Sequence, residues 1–134
     1  MKKIICYWSG TGNTESIANK LSKDLGCEAV SVSGISASDA SNFDLIILGC
    51  PSMGNEELEC DEFEPFYRDL LKLSQGKKFA LFGSYGWGDG EWMRNWQEDL
   101  VENGGKLVCD GLIVNGDESE IIESSYNAFI SALK

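Results

Sequence analysis

Five short runs of apolar and β-branched residues recur along the chain and predict β-strands: Lys3–Tyr7, Ala29–Val32, Leu45–Cys50, Phe79–Gly83 and Lys106–Val114. The third and fourth runs are almost continuously hydrophobic, which is typical of strands buried on both faces of a parallel sheet. The second run is weaker and alternates between apolar and polar positions. We therefore expect the second strand to lie at an edge of the sheet.

Between these runs, apolar residues return at helical spacing and predict four amphipathic helices. Their stripes are Ile17, Ala18, Leu21 and Leu25; Phe63, Phe66, Tyr67, Leu70 and Leu71; Trp92, Met93, Trp96, Leu100 and Val101; and Ile122, Tyr126, Phe129 and Ile130. The segment Ser33–Phe43 lacks a clear pattern and predicts only a short helix. Alternating strands and helices are typical of a doubly wound α/β domain, and 134 residues suit a single one spanning 1–134. Ligands of such domains bind beyond the carboxyl ends of the strands.

The charge of the chain narrows the classes of partner. Asp and Glu number 22 against 11 Lys and Arg, with no His, so the formal net charge is −11. A protein that binds nucleic acid or an anionic membrane needs the opposite sign. We therefore expect basic proteins as partners. The absence of His also removes the commonest general base and metal ligand.

The five cysteines predict free thiols rather than a disulfide framework or a zinc site, because their number is odd and none forms a CxxC pair. Cys6, Cys50 and Cys109 lie in apolar runs, where we expect buried thiols. Free thiols favour a reducing cytoplasm. The apolar run Ile4–Trp8 is too short for a signal-peptide core or a membrane span, which favours the same location.

The loop after the first strand is rich in small residues and leads directly into a predicted helix. It consists of Ser9, Gly10, Thr11, Gly12, Asn13 and Thr14. Its backbone N–H groups, its hydroxyls and the helix dipole together favour a phosphate site. The loop lacks the GK[ST] ending of an NTPase loop, and Glu15 replaces the third glycine of the dinucleotide fingerprint. The patterns of a small phosphatase and of a receiver domain also fail.

Two further loops follow the third and fourth strands. The second loop contains Ser52, Met53, Gly54, Asn55 and Glu56, and the third contains Ser84, Tyr85, Gly86 and Trp87. A tryptophan on a glycine-rich loop at a strand end needs a partner, and a flat ring system is a natural one. The alternative for Trp87 is an anchor packed within its own loop. Trp92 and Trp96 stand at helical spacing, which favours the core.

These three loops in this order resemble the short-chain flavodoxins, particularly the clostridial type. The similarity extends to Trp8, to the segment Glu62–Phe66 and to the run Leu81–Gly90, and it covers the chain from end to end. It implies a flavodoxin-like α/β fold, with a doubly wound five-stranded parallel sheet in the order 2-1-3-4-5 and helices on both faces. It also implies a low-potential one-electron carrier with non-covalently bound FMN, which shuttles between semiquinone and hydroquinone and turns over no substrate of its own.

The resemblance implies a role for each loop. The FMN phosphate would lie on Ser9–Thr14. Trp87 would stack on the outer face of the isoalloxazine ring, and Met53 would cover the inner face. The carboxylate of Glu56 would accept a hydrogen bond from flavin N3–H, and the amide of Gly86 would lie near N1 and O2. The peptide between Gly54 and Asn55 would lie beside N5 and turn over on one-electron reduction, which a glycine tolerates.

The segment Glu56–Glu64 packs six carboxylates into nine residues, where we expect either a solvated face or a docking surface for basic redox proteins. Five of them, excluding Glu56, are treated as exposed charges that oppose reduction of the flavin: Glu57, Glu59, Asp61, Glu62 and Glu64. Alternative functions are a flavodoxin-like FMN enzyme such as a quinone reductase, an activator of a ribonucleotide reductase, or a non-redox FMN-binding module. A monomer is expected. The segment Asn115–Asp117 matches the family poorly and is left out of the site.

Overall fold

The computed structural model describes residues 1–134 and contains one parallel sheet. Its strands are β1 (Lys3–Tyr7), β2 (Glu28–Ser31), β3 (Leu45–Gly49), β4 (Lys78–Tyr85), β5 (Lys106–Leu107) and β6 (Leu112–Asn115). The order is β2-β1-β3-β4-β5, and β6 also pairs with β4, beyond β5 along the same edge. The predicted order 2-1-3-4-5 is confirmed, with β2 at one edge and β5 and β6 sharing the fifth position.

Helices cover both faces of the sheet. They are α1 (Asn13–Leu25), α2 (Ala37–Ala40), α3 (Phe63–Leu73), α4 (Glu91–Glu102) and α5 (Glu123–Leu133), with a 3₁₀ turn at Glu118–Glu120. Alternate residues of the strands enter two separate cores. One core packs under α2, α3 and α4, and the other packs under α1 and α5. No helix in the structure is both long and apolar enough to cross a membrane.

The fifth predicted strand, Lys106–Val114, is divided in the structure. Val108 N–H still donates to the Phe79 carbonyl at 3.0 Å, but the chain then leaves the ladder until Leu112. Gly111 turns inward, where its N–H donates to Gln97 Oε1 on α4 at 2.5 Å. A side chain at Gly111 would collide with Met93, so the detour packs against α4. Cys109 lies in this detour and is only half-buried, so its predicted burial is wrong.

The predicted helical stripes form the core with two exceptions. Trp92 and Trp96 are 1% and 2% exposed, which confirms them as core residues. Val101 is 56% exposed and lies in the last turn of α4. Ile122 is 65% exposed because it precedes the first turn of α5. The burial predicted for these two residues is therefore wrong.

Two of the predicted buried thiols are confirmed. Cys6 and Cys50 are fully buried, and all five cysteines are free. Burial raises the pKa of the Cys6 thiol to about 12, and burial also raises the pKa of the Cys50 thiol. Both therefore remain neutral thiols that fill the core as small apolar groups.

Candidate functional site

A groove opens where the carboxyl ends of β1, β3, β4 and β6 meet. Its volume is about 340 Å³, within the range of small-molecule sites. All three predicted loops contribute to it, together with the loop after β6. Its lining residues are Trp8, Gly10, Thr11, Asn13, Pro51, Ser52, Met53, Ser84, Tyr85, Gly86, Asn115 and Gly116.

Backbone hydrogen bonds extend from the sheet into these loops and fix their starting points. Trp8 N–H donates to the Gly49 carbonyl at 2.9 Å, and Cys50 N–H donates to the Phe82 carbonyl at 3.2 Å. Ser52 N–H donates to the Ser84 carbonyl at 2.9 Å. The loops are therefore anchored on one another at the point where each leaves its strand.

The first loop is organised around the Ser9 side chain. Ser9 Oγ accepts hydrogen bonds from the N–H groups of Gly12 at 3.1 Å and Glu15 at 3.2 Å. Gly12 precedes α1 with a φ of 99°, which glycine adopts without strain. A Cβ at Gly10 would lie 3.0 Å from the Trp8 ring, so the loop passes tightly beside that indole. The result is a compact turn at the N-terminus of a 13-residue helix, where the dipole favours an anion.

Thr14 faces away from solvent, toward the third loop. Its hydroxyl lies 2.8 Å from the Ser84 hydroxyl, and the two residues are 1% and 4% exposed. Thr14 is the second residue of α1 and Ser84 is near the end of β4, so this hydrogen bond joins two of the loops.

The second loop is a short hairpin closed by two hydrogen bonds. Met53 N–H donates to the Glu57 carbonyl at 2.8 Å, and Glu57 N–H donates to that of Met53 at 2.9 Å. Gly54 has a φ of 52° at the tip. Glu56 is the one non-glycine residue with a positive φ, at 56°, a conformation that costs about 1–3 kcal/mol for such a residue. The neighbouring contacts must therefore hold the Glu56 backbone in place.

The Glu56 side chain bridges the second and third loops. Its Oε1 accepts a hydrogen bond from Glu91 N–H at 3.0 Å, at the start of α4. A Cβ at Gly88 would lie 2.6 Å from the Glu56 carboxyl carbon, so only glycine admits the carboxylate here. Oε2 makes no hydrogen bond within the protein and remains free to accept one from a ligand.

The two aromatic residues of the third loop differ in exposure: one is packed and the other faces solvent. Tyr85 ends β4 and packs on Trp92 with ring centroids 5.4 Å apart, which anchors the start of the loop. Trp87 follows two residues later and is 61% exposed. The alternative of an anchor packed within its own loop does not describe such an exposed indole. Met53 on the second loop is 37% exposed, so both loops offer apolar surface to a partner.

The acidic segment differs from the prediction at Glu59, which is 6% exposed. Its carboxylate accepts three backbone hydrogen bonds, from Asp61 at 2.8 Å and from Glu62 and Phe63 at 2.7 Å. Burial alone would raise the pKa of Glu59, but these three N–H donors lower it below its usual value. The treatment of Glu59 as an exposed charge is therefore wrong: it caps the start of α3.

Glu62 also has a specific partner. Its Oε1 accepts a hydrogen bond from the Trp8 indole N–H at 3.0 Å, which ties the acidic segment to the wall of the groove. Trp8 and Pro51 line the groove but were not predicted as site residues, and neither were Asn115 and Gly116. Asn115 could have been predicted from its place at the end of the last strand. The carboxyl ends of parallel strands lie at one edge of the sheet, so the end of this strand lies beside the three predicted loops.

The predicted site residues divide into two groups. Those that line the groove are Gly10, Thr11, Asn13, Ser52, Met53, Ser84, Tyr85 and Gly86. Those that lie beside or behind it are Ser9, Gly12, Thr14, Gly54, Asn55, Glu56 and Trp87. All belong to loops that border the groove, so the structure gathers the whole predicted set at one edge of the sheet.

A larger cavity, of about 590 Å³, lies between the β5–β6 detour and α5 and shares Tyr85 and Asn115 with the groove. Its charged lining residues are the carboxylates Asp110 and Glu120. No Lys or Arg lines this cavity, and its two carboxylates would repel an anion. The smaller groove therefore has the better chemistry for a phosphorylated ligand.

Fold and groove together define a class: a doubly wound α/β protein whose first loop suits a phosphate and whose other loops suit a flat ring. The family model described as flavodoxin matches residues 5–129. Flavodoxins of Clostridium beijerinckii and Megasphaera elsdenii are each 45% identical, over 87% and 81% of this chain and 88% and 83% of their own. The solved structure of two-electron reduced Megasphaera elsdenii flavodoxin superposes with a TM-score of 0.87 at 39% identity, covering 98% of this chain and 99% of that one.

The chain therefore belongs to the flavodoxin family. Flavodoxins bind FMN and carry electrons between redox partners, and they have no substrate turnover of their own. The predicted family, fold class, cofactor and electron-carrier function are confirmed.

Proposed function

We propose that the groove at the carboxyl edge is the FMN site, with the phosphate on Ser9–Thr14 and the ring between Met53 and Trp87. The observation that carries this proposal is the exposure of Trp87, at 61%, on a loop whose other aromatic residue is packed. An exposed indole stabilises a flat ring by stacking and by removing apolar surface from water. FMN, when bound, supplies the one-electron redox chemistry.

The phosphate end would be held by neutral donors. No Lys or Arg occurs in Ser9–Thr14, so the dianion must rely on backbone N–H groups, hydroxyls and the α1 dipole. The Ser9 side chain supports this role, because its contacts with Gly12 and Glu15 keep the turn compact. Preorganised N–H donors lose little entropy when the phosphate arrives.

The ring end would be held by polar groups along its edge. Glu56 is proposed to accept from flavin N3–H, through the oxygen that Glu91 N–H does not occupy. The amide of Gly86, which lines the groove, would approach N1 and O2. The peptide between Gly54 and Asn55 would lie beside N5. The hairpin hydrogen bonds between Met53 and Glu57 support a tip that can turn over while its ends stay fixed.

We also propose that the partners are basic proteins that dock on the acidic segment. Glu57, Asp61 and Glu64 remain without side-chain hydrogen bonds to groups elsewhere in the protein, and the whole chain carries a charge of −11. Such a field speeds association with a positive surface. A monomer and a reducing cytoplasmic location complete the proposal, and the five free thiols support the latter.

The test of the site is a comparison of two flavins. FMN-free protein is titrated with FMN and with riboflavin, and binding is followed by quenching of flavin fluorescence. FMN is expected to bind at least about tenfold more tightly, since a hydrogen bond to a charged group contributes about 1.5–3 kcal/mol. Equal affinity for the two flavins would show that the first loop holds no phosphate.

A further inference from the structure

The larger cavity beside the groove is not explained by the proposed flavin site, although the two share Tyr85 and Asn115. Its volume of about 590 Å³ lies within the range of small-molecule sites. Seven of its twelve lining residues are hydrophobic, so its wall is mainly apolar. A cavity of this size with an apolar wall and a few polar groups is suited to a ligand of its own.

The cavity is open because two elements leave space at this edge of the sheet. β5 has only two residues, and β6 pairs with β4 alone, so no strand covers the outer side of β6. From α5, the small side chains of Ser125 and Ala128 line the cavity, and Ile122 beside them is 65% exposed. Leu112 and Phe129 are buried and complete the apolar wall. A ligand that covers this wall removes apolar surface from water.

The charged residues of the wall are two carboxylates without a cationic partner. Asp110 lies in the detour before β6. Glu120 follows β6, and its Cγ lies 3.0 Å from the position that a Cβ at Gly116 would take. No Lys or Arg lines the cavity, and neither carboxylate takes part in a salt bridge. A cation that enters the cavity therefore meets negative charge that the protein does not neutralise.

We propose that this cavity binds a small organic cation, with an ammonium or guanidinium group on an apolar body. The body lies on the wall formed by Leu112, Ile122 and Phe129, and the cationic group lies beside Asp110 or Glu120. Covering the apolar wall supplies most of the affinity, because an exposed ion pair contributes little. The carboxylates supply the selectivity for a cation. This ligand is additional to the flavin, and its site does not depend on which ligand fills the smaller groove.

The test uses FMN-loaded protein and compounds that separate the two parts of the ligand. Phenethylamine has the charge and the apolar body, phenethyl alcohol has the body alone, and methylammonium has the charge alone. Binding is followed by NMR shifts of the backbone amides around the cavity, including Gly111, Ser125 and Ala128. Phenethylamine is expected to bind about threefold to fivefold more tightly than phenethyl alcohol, and methylammonium is expected to cause little shift. Equal affinities of the amine and the alcohol, or shifts confined to other residues, would overturn the proposal.

Two double variants separate the cavity from the general charge of the protein. Asp110→Asn with Glu120→Gln is expected to lower the affinity for phenethylamine to that for phenethyl alcohol, which itself stays unchanged. Glu28→Gln with Asp39→Asn is the matched control, because both carboxylates are exposed and Glu28 begins β2 at the opposite edge of the sheet. The control should keep the wild-type preference for the amine. An equal loss of preference in the control would show an effect of net charge and refute the role of the cavity.

A further variant tests where the ligand lies. Ala128→Leu places a larger side chain in the cavity at an exposed position of α5, where leucine supports a helix. It should abolish the binding of both phenethyl compounds while the FMN content and the circular dichroism spectrum stay as in the wild type. Retained binding in this variant would place the ligand elsewhere and refute the proposal. FMN content is measured separately, so a failure of the flavin site is distinguished from a failure of this cavity.

Discussion

The buried carboxylate of Glu59 supports a prediction about stability that can be worked from the structure. Replacing it by glutamine keeps the size of the side chain and removes the charge. The carboxylate now accepts from three N–H groups at 2.7–2.8 Å at the start of α3, where the helix itself provides them with no partner. The amide of Gln has one acceptor oxygen, and its NH₂ group would face N–H donors.

The magnitude follows from the hydrogen bonds that are lost. A hydrogen bond to a charged group contributes about 1.5–3 kcal/mol, and Glu59→Gln loses at least one of three and weakens the others. We expect unfolding to become easier by about 2–4 kcal/mol. For a domain of this size that lowers the midpoint of thermal unfolding by roughly 6–15 °C.

The stabilisation by Glu59 should depend on pH in a definite direction. The Glu59 pKa is lowered in the folded protein below the unfolded value of about 4.3. The carboxylate therefore stabilises the fold fully above that value, and the contribution disappears as the pH falls through the folded pKa. The difference between wild type and Glu59→Gln should be large at pH 7 and shrink below about pH 4.

The assay is urea unfolding of the FMN-free protein, followed by far-UV circular dichroism between pH 7 and pH 3. Glu57→Gln is the control, since it removes the same charge from an exposed side chain of the same segment. The control should change the unfolding free energy by less than about 0.5 kcal/mol. If Glu59→Gln behaves like the control, or if its effect does not shrink in acid, the capping argument is wrong.

The remaining predictions concern redox potentials, measured by reductive titration against a reference dye. Gly54→Thr should lower the first one-electron potential, because its branched Cβ disfavours the turned-over peptide by about 1–3 kcal/mol; Gly54→Ala should have a smaller effect, and an unchanged potential would exclude the peptide turn. Trp87→Ala should weaken FMN binding and raise the second potential, whereas Trp87→Phe should retain most of the affinity; wild-type behaviour of the Ala variant would remove Trp87 from the site. Neutralising Glu57 and Asp61, which are exposed, together with the half-buried Glu64 should raise the second potential by roughly 15–40 mV and slow the reaction with a basic partner. No change in either quantity would identify these carboxylates as a solvated face.

Most of the fold could be predicted from periodicity, because each core is built from one face of each helix and alternate positions of each strand. The divided fifth strand could not be predicted from hydrophobicity, since Lys106–Val114 is apolar along most of its length. The turn signal Asp110–Gly111 was present within that run. Apolar character predicted burial, but the contact of Gly111 with α4 decided where the ladder breaks.

The site was predictable to the extent that it lies at strand ends. The three loops follow three predicted strands, so their convergence follows from the parallel sheet. The bond between Trp8 and Glu62 spans 54 positions and has no local signal. The burial of Glu59 could not be predicted either, because it stands in a segment with six carboxylates in nine residues, and only the turn into α3 removes it from solvent.

The charges around the proposed site act together on the reduction of the flavin. Holding a phosphate dianion by neutral donors adds no positive charge near the flavin, whereas a lysine in the first loop would add one. The carboxylate of Glu56 and the exposed carboxylates that follow it add negative charge on the other side of the groove. Each electron added to the flavin therefore enters a field that opposes it, and burial beside Trp87 and Met53 reduces screening by water. In the proposed site, phosphate recognition without basic residues and the carboxylates of the acidic segment thus both favour a low reduction potential.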